Sequence, residues 1–301
     1  MKKILITGGS GLLGSNIAKL AASKFKVYAT YNKHPVSMKD VSFFQIDLTK
    51  EEQCVKIEKI RPDFIIHCAA LTNIDNCEDH PNEAFDQNAL ASINVAEKAK
   101  SIGAYLIHIS TDNVFDGTKG NYKENEIPNP INVYGKTKFE AEKSISSIHP
   151  KSCIVRTNIY GWNKIDKFSL AEWMLNKLTN NLELPAFEDV FFSPILVNDL
   201  IEVLFKLQGK KHEGILHIAG SEKCSKLDFA YKIAEIFDLD KDIIKPVSIR
   251  ESELKAPRGR DTSLNVSKAE KILKIRLPSV EEGLEKMKKL REKRYIEELK
   301  A

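Results

Sequence analysis

A short apolar strand, Lys3–Thr7, runs without a break into Gly8-Gly9-Ser10-Gly11-Leu12-Leu13-Gly14 and then into Ser15–Ser23, where Ala, Ile and Leu recur at helical spacing. Few folds accept that succession. Strand, glycine loop and helix in immediate order is the setting in which a glycine motif holds a dinucleotide. Gly8 permits the tight turn, Gly11 lets a pyrophosphate approach the backbone, and Gly14 lets helix pack on strand. The unpaired N–H groups of the helix N-terminus then face the phosphates, with Ser10, Leu12 and Leu13 completing the loop. The spacing is Gly-x-x-Gly-x-x-Gly rather than Gly-x-Gly-x-x-Gly.

A second strand is expected at Lys26–Thr30. Sites that prefer NAD end this strand with an acid for the ribose 2′-hydroxyl. Here Tyr31-Asn32-Lys33-His34 follows, with no carboxylate to repel a 2′-phosphate and with Lys33 able to pair with one. Asn32 and Lys33 therefore favour NADP(H), with NAD(H) the alternative. A third strand, Val41–Ile46, leads to Asp47 and Leu48 at the adenine end, where Asp47 either binds the adenine amino group or caps the helix starting near Lys50. A fourth, Asp63–His67, ends in Cys68-Ala69-Ala70, small enough for a flat ring to lie on the backbone. Helix 81–101 carries Asn88. A fifth strand, Ala104–Ile109, ends at Ser110-Thr111-Asp112, which puts the Thr111 hydroxyl beyond a strand's carboxyl end, where open α/β sheets bind ligands. Cys153–Asn158 is a sixth. Strands alternating with helices predict a parallel sheet covered on both faces.

Tyr134 and Lys138 stand four residues apart in a segment, 134–146, that reads as helix, so they share one face one turn apart. A neighbouring ammonium favours the phenolate and lowers the tyrosine pKa from about 10. Such a pair suits a general acid.

The back part has a different pattern. Helix 168–180 carries Phe168, Leu170, Trp173, Met174 and Leu178 as packing residues. Ser193–Asp199 reads as a short strand, then a helix capped by Asn198 or Asp199. Strand Gly214–Ala219, helix 225–237 and an amphipathic helix over 279–300 follow. We therefore divide the chain into a dinucleotide-binding domain, 1–160, and a smaller, partly interleaved α/β substrate lobe, 161–301. The net charge of +4 over 301 residues, with acids and bases mixed throughout, gives no footprint for nucleic acid or a membrane surface. Five cysteines without CxxC spacing argue against disulfides and zinc, and we expect no metal. No apolar run reaches the roughly 18–20 residues of a membrane span. A cytoplasmic protein is expected.

In order along the chain stand Thr7-Gly-Gly-Ser-Gly-Leu-Leu-Gly14, Arg61-Pro-Asp-Phe-Ile-Ile-His-Cys-Ala-Ala70, Asn73-Ile-Asp-Asn-Cys-Glu78, Ser110-Thr-Asp-Asn-Val-Phe-Asp-Gly117, Tyr134-Gly-Lys-Thr-Lys138, Arg156-Thr157 with Tyr160-Gly161, and Arg258 ahead of Leu264-Asn-Val-Ser-Lys268. Together they resemble the extended short-chain dehydrogenase/reductases, and among them the dTDP-4-dehydrorhamnose reductase family, over nearly the whole chain. The resemblance implies a Rossmann doubly wound sheet with a C-terminal substrate lobe, and a triad of Thr111, Tyr134 and Lys138. It implies reduction at C4 of a nucleotide-linked 4-keto sugar, in work such as cell-surface polysaccharide biosynthesis. Tyr134 would donate the proton, Thr111 hold the oxygen, and Lys138 bind the cofactor ribose. Asp75, Asn88, Asn113, Phe115 and Arg258 would lie near the sugar or nucleotide. Asn113 stands where the family usually has Tyr, and Asn158-Ile159 where a sugar-contacting Trp is usual. A 4-epimerase, or a non-catalytic NADP-binding subunit like the β subunit of methionine adenosyltransferase, are the alternatives, and a homodimer is compatible with all three.

Overall fold

The computed structural model describes residues 1–301. Its front part runs β1 (Lys3–Thr7), α1 (Leu12–Ala21), β2 (Lys26–Tyr31), β3 (Val41–Gln45), α2 (Glu51–Ile60), β4 (Phe64–His67), α3 (Ile74–Asp79), α4 (Pro81–Phe85), α5 (Ala91–Ser101), β5 (Tyr105–Thr111), α6 (Val133–Ile148) and β6 (Cys153–Thr157). The back part adds β7 (Ile159–Tyr160), α7 (Leu170–Thr179), β8 (Leu184–Phe187), β9 (Phe191–Phe192), β10 (Ile195–Leu196), α8 (Val197–Lys210), β11 (Gly214–His217), β12 (Cys224–Ser225), α9 (Lys226–Ile236), β13 (Ile244–Val247), α10 (Ser267–Leu273), α11 (Val280–Glu292) and α12 (Tyr295–Lys300). No helix is long and apolar enough to cross a membrane.

Seven parallel strands form the main sheet in the order β11-β6-β5-β4-β1-β2-β3, a Rossmann arrangement in which the chain starts in the middle and winds outward both ways. Period-two alternation sorts its side chains. Ile4, Ile6, Phe64, Ile66 and Val155 pack on one face under α1 and α8, whereas Leu5, Ile65, Leu106 and Ile154 pack on the other under α2, α5 and α6. A second core, built from Trp162, Met174, Leu178, Phe229, Ile233, Leu284 and Met287, holds the smaller lobe together. The last strand of the large sheet, β11, and one of its covering helices, α8, come from the back half of the chain.

Several boundaries differ from expectation, each for a local reason. Helix α1 begins at Leu12, because the extended Gly11 is its N-cap and its carbonyl accepts the first helical bond, from the Ser15 N–H at 3.0 Å. The 81–101 helix is continuous but widens into a single π-turn at Asp86–Leu90. Neither Asn198 nor Asp199 caps α8, whose N-cap is Leu196 with no side-chain bond. The terminal helix breaks at Lys293-Arg294, where Arg294 takes a left-handed conformation (φ 58°). The polar loop 116–132 is anchored rather than free. Tyr122 bonds the Ser263 carbonyl through its backbone and stacks on Phe115 at 4.1 Å.

Candidate active site

A groove of about 790 Å³ runs along the carboxyl edge of the sheet. It lies within the size range of small-molecule and cofactor sites. One end is the glycine loop, where Gly8, Ser10, Gly11, Leu12, Leu13 and Gly14 all line it. The loop is as thin as backbone allows: Gly8 has φ +66°, and a Cβ on Gly14 would stand 2.2 Å from the Gly8 carbonyl oxygen. Nothing larger than glycine fits between α1 and the turn, and α1 then offers its free N–H groups to the groove. A dinucleotide pyrophosphate fits this cradle.

Along the groove come Asn32 and Lys33 after β2, Leu48 after β3, Cys68, Ala69 and Ala70 after β4, and then Thr111, Asn113, Tyr134 and Lys138. Segments more than a hundred residues apart in sequence thus share one wall. Asn132 caps α6 by accepting from the Gly135 N–H at 2.8 Å, which fixes the first turn where Tyr134 sits. Thr111 ends β5; its hydroxyl donates to Asp112 at 3.1 Å and accepts from the Asn113 N–H at 3.2 Å.

Electrostatics depart from the expected pairing. Burial pushes the Tyr134 phenol above its ordinary range, opposed by a hydrogen bond with Thr111 and reinforced by the Asp112 charge. Lys138 has no part in that shift. Its ammonium turns inward, donating to the Ile109 carbonyl at 2.8 Å and meeting His108 Nε2 at 3.2 Å. The expected lowering of Tyr134 by Lys138 is therefore not found, and the phenol keeps its proton at neutral pH. Burial lowers Lys138 itself to about 8, with Glu142 and Cys68 pulling the other way.

Five expected contacts lie outside the groove. Asp47 turns one carboxylate oxygen back on Thr49, accepting from its N–H at 3.0 Å and its hydroxyl at 2.7 Å, and it does not cap α2, whose N-cap is Lys50. Asn88, fully buried, holds the Leu71 backbone (N–H at 2.7 Å, carbonyl at 3.1 Å) and the Thr137 hydroxyl (3.0 Å); it braces the loop after β4 against α6. Phe115 is sealed between Tyr122 and the Arg156 guanidinium. Asp75 and Arg258 pair with each other at 3.0 Å across the lobes. Phe168 is corrected in the opposite sense: it is 57% exposed and lines the groove with Leu170 rather than packing in the core.

Other side chains at the site carry weaker signals in the sequence. Asp112, 1% exposed, accepts from Asn113, Asn158 (2.7 Å) and Thr262 (3.0 Å), tying the end of β5 to the smaller lobe. The Ser-Thr-Asp ending of β5 could have drawn attention to it. Glu83, on α4, lines the groove and lies 3.4 Å from Lys33, so a carboxylate does stand near the expected 2′-phosphate position. Fifty residues separate the two, and no local pattern connects them.

A parallel sheet opened by a glycine turn, with Thr111, Tyr134 and Lys138 along one groove, defines the class: a dinucleotide-binding Rossmann protein of the extended short-chain dehydrogenase/reductase type. The family model for the RmlD substrate binding domain matches residues 1–292, and the chain belongs to that family, which includes the dTDP-4-dehydrorhamnose reductases. It is 30% identical to the probable low-salt glycan biosynthesis reductase Agl14 of Haloferax volcanii over 93% of this chain and 95% of that one. It is 32% identical to the β subunit of methionine adenosyltransferase 2 of Bos taurus, over 89% and 82%. Among solved structures, the dTDP-4-dehydrorhamnose reductase of Bacillus anthracis in complex with NADP superposes with a TM-score of 0.85 at 31% identity, covering 95% of this chain and 99% of that one.

Proposed function

We propose that the protein is a reductase of a nucleotide-linked 4-keto-6-deoxy sugar that uses NADP(H) in preference to the alternative cofactor NAD(H). The reading is carried by one observation: Thr111, Tyr134 and Lys138 line the same groove as the glycine cradle. Kinship with a reductase solved with NADP supports the cofactor. The reduced nicotinamide, when bound, supplies the hydride. Tyr134, kept protonated by burial, gives its proton to the carbonyl oxygen at C4 as negative charge builds there. Thr111 holds that oxygen, and its own orientation is set by Asp112. Lys138 contributes an ammonium on the ribose side. Asn113, Asn158 and Asn163 supply amide donors and acceptors for sugar hydroxyls, and Phe168 an apolar surface at the groove mouth.

The test is loss of NADPH absorbance with a panel of dTDP-, UDP-, GDP- and CDP-linked 4-keto sugars. Tyr134→Phe should cut turnover by about 10²–10⁴-fold, the usual cost of a lost general acid, while NADP⁺ binding stays within about twofold. A fall of less than about threefold would refute the role of Tyr134. The kinship with methionine adenosyltransferase β subunits supports a second reading, a non-catalytic NADP-binding subunit. Co-purification with a synthetase, together with no NADPH oxidation on any sugar, would favour it.

A further inference from the structure

Beneath the groove, β4 and β5 bring two histidines side by side in register, His67 and His108, with ring centres 5.2 Å apart. Both are fully buried. Their hydrogen-bond partners determine which nitrogen of each ring carries the proton.

The Thr7 hydroxyl oxygen already accepts from the Cys68 N–H at 3.1 Å and the Ala69 N–H at 3.2 Å. Its own hydrogen is left to donate, and His67 Nδ1 lies 2.6 Å away. A hydroxyl offers one donor and two acceptor positions, so all three are used. His67 Nδ1 is therefore the acceptor, and the ring proton sits on Nε2, 3.0 Å from the Ser92 hydroxyl, which passes its own hydrogen to the Asn88 carbonyl at 2.6 Å. Every polar group of His67 is occupied.

His108 is the reverse case. Its Nε2 faces the Lys138 ammonium at 3.2 Å, and an ammonium can only donate. Nε2 must accept, so the proton lies on Nδ1, which is buried without any partner. A protein rarely leaves a buried N–H unmatched, and this one is the consequence of keeping Nε2 free for Lys138.

We propose that His108, neutral and protonated on Nδ1, is the positioning residue that seats Lys138. With the Ile109 carbonyl it takes two of the three ammonium hydrogens and leaves the third without a protein acceptor, on a residue that lines the groove. This deepens the reductase reading by assigning what aims its lysine at a ligand. The groups facing Lys138 are His67 on β4, Cys68 just beyond it, His108 on β5 and Glu142 one turn along α6. Glu142 is already taken by Arg156 and by Ser110 at 2.5 Å. Burial leaves Lys138 lowered to about 8 against the pull of Glu142 and Cys68, and the neutral imidazole of His108 adds an acceptor at 3.2 Å that favours the charged ammonium.

Two experiments test this. Proton–nitrogen correlation spectra of ¹⁵N-histidine-labelled protein at pH 7 should show opposite tautomers, Nε2–H for His67 and Nδ1–H for His108. Lys138→Met should release His108 from its Nδ1–H form and leave His67 unchanged. An Nε2–H form of His108 in the wild type, or no response to Lys138→Met, overturns the proposal. This arm holds even if the nucleotide reading fails. The second arm is NADP⁺ affinity by calorimetry from pH 6 to 9.5. Wild-type affinity should fall as pH rises through about 8. In His108→Leu the fall should begin about one unit lower, the size of one lost bond to a charged donor, and weaken binding about fivefold at pH 8. His108→Gln, whose carbonyl oxygen reaches the place of Nε2, should restore the wild-type profile. Superimposable profiles in all three proteins, or loss of affinity independent of pH, overturn the proposal.

Discussion

Acidification should unfold this protein earlier than its carboxylates require. His67, His108 and His217 are each at most 1% exposed, and burial is the largest influence on all three. His67 and His217 are brought down to about 3, and His108 falls well below its ordinary value. In the unfolded chain all three titrate near 6.5. As pH falls through 6.5, the unfolded state gains protons that the native state refuses, so stability drops with pH, and the window runs from about 6.5 down toward 3. Between pH 7 and 5.5 each histidine should cost roughly 1.2 kcal/mol, and the three together about 4 kcal/mol. His212, also lowered by burial, adds in the same direction. Few carboxylates protonate in that interval, which isolates the histidine contribution. Urea titrations at pH 7.0 and 5.5, followed by far-ultraviolet circular dichroism, measure it directly. His217→Gln should remove about a third of the difference between the two pH values. A wild-type loss below about 1 kcal/mol would refute the buried-neutral account of these residues.

Other expectations follow from single contacts. Glu142→Gln leaves the Arg156 guanidinium, now bonded at 2.9 and 2.6 Å in a fully buried pair, without its counter-charge; a loss of about 3–5 kcal/mol in urea unfolding is expected, and one below about 1 kcal/mol would contradict it. Gly14→Ala drives a methyl into the Gly8 carbonyl and should weaken NADP⁺ binding by about tenfold or more in calorimetry, equivalent to about 1.4 kcal/mol, with unchanged affinity refuting the cradle. Lys33→Asp, beside Glu83, sets two carboxylates at the ribose end and should turn preference toward NADH; an unaltered ratio of NADPH to NADH affinity would show that Lys33 does not read the 2′-phosphate.

What could be read from the residues alone was local. The glycine loop lies between a strand and a helix that are its immediate neighbours, and Tyr134 and Lys138 sit on one turn of one helix, so spacing determines them. Thr111 follows from where β5 ends. Side-chain direction in loops is a different matter, because distant partners decide it. Asp75 looks free until Arg258 and the Ala256 N–H arrive from the other lobe, the latter at 3.0 Å. Phe115 looks like a ligand contact until Tyr122 stacks on it. Lys138 misled for the same reason: its helical spacing from Tyr134 is right, yet a backbone carbonyl and a histidine from β5 claim its charge first. Phe168 fits a helical apolar pattern, but Ser169 caps α7 immediately after it and leaves the ring outside the helix.

That β11 and α8 return from the back half to finish the large sheet has a practical consequence. No single cut in the polypeptide yields a self-sufficient nucleotide-binding piece. A fragment ending near residue 160 would carry β6 as a raw edge and would bare the apolar side chains that Leu200 and Leu204 now cover. Grafting this groove onto another protein would mean transplanting the entire chain, and evolution faces the same restriction: the two lobes can diverge in sequence, but neither can be shuffled away from the other.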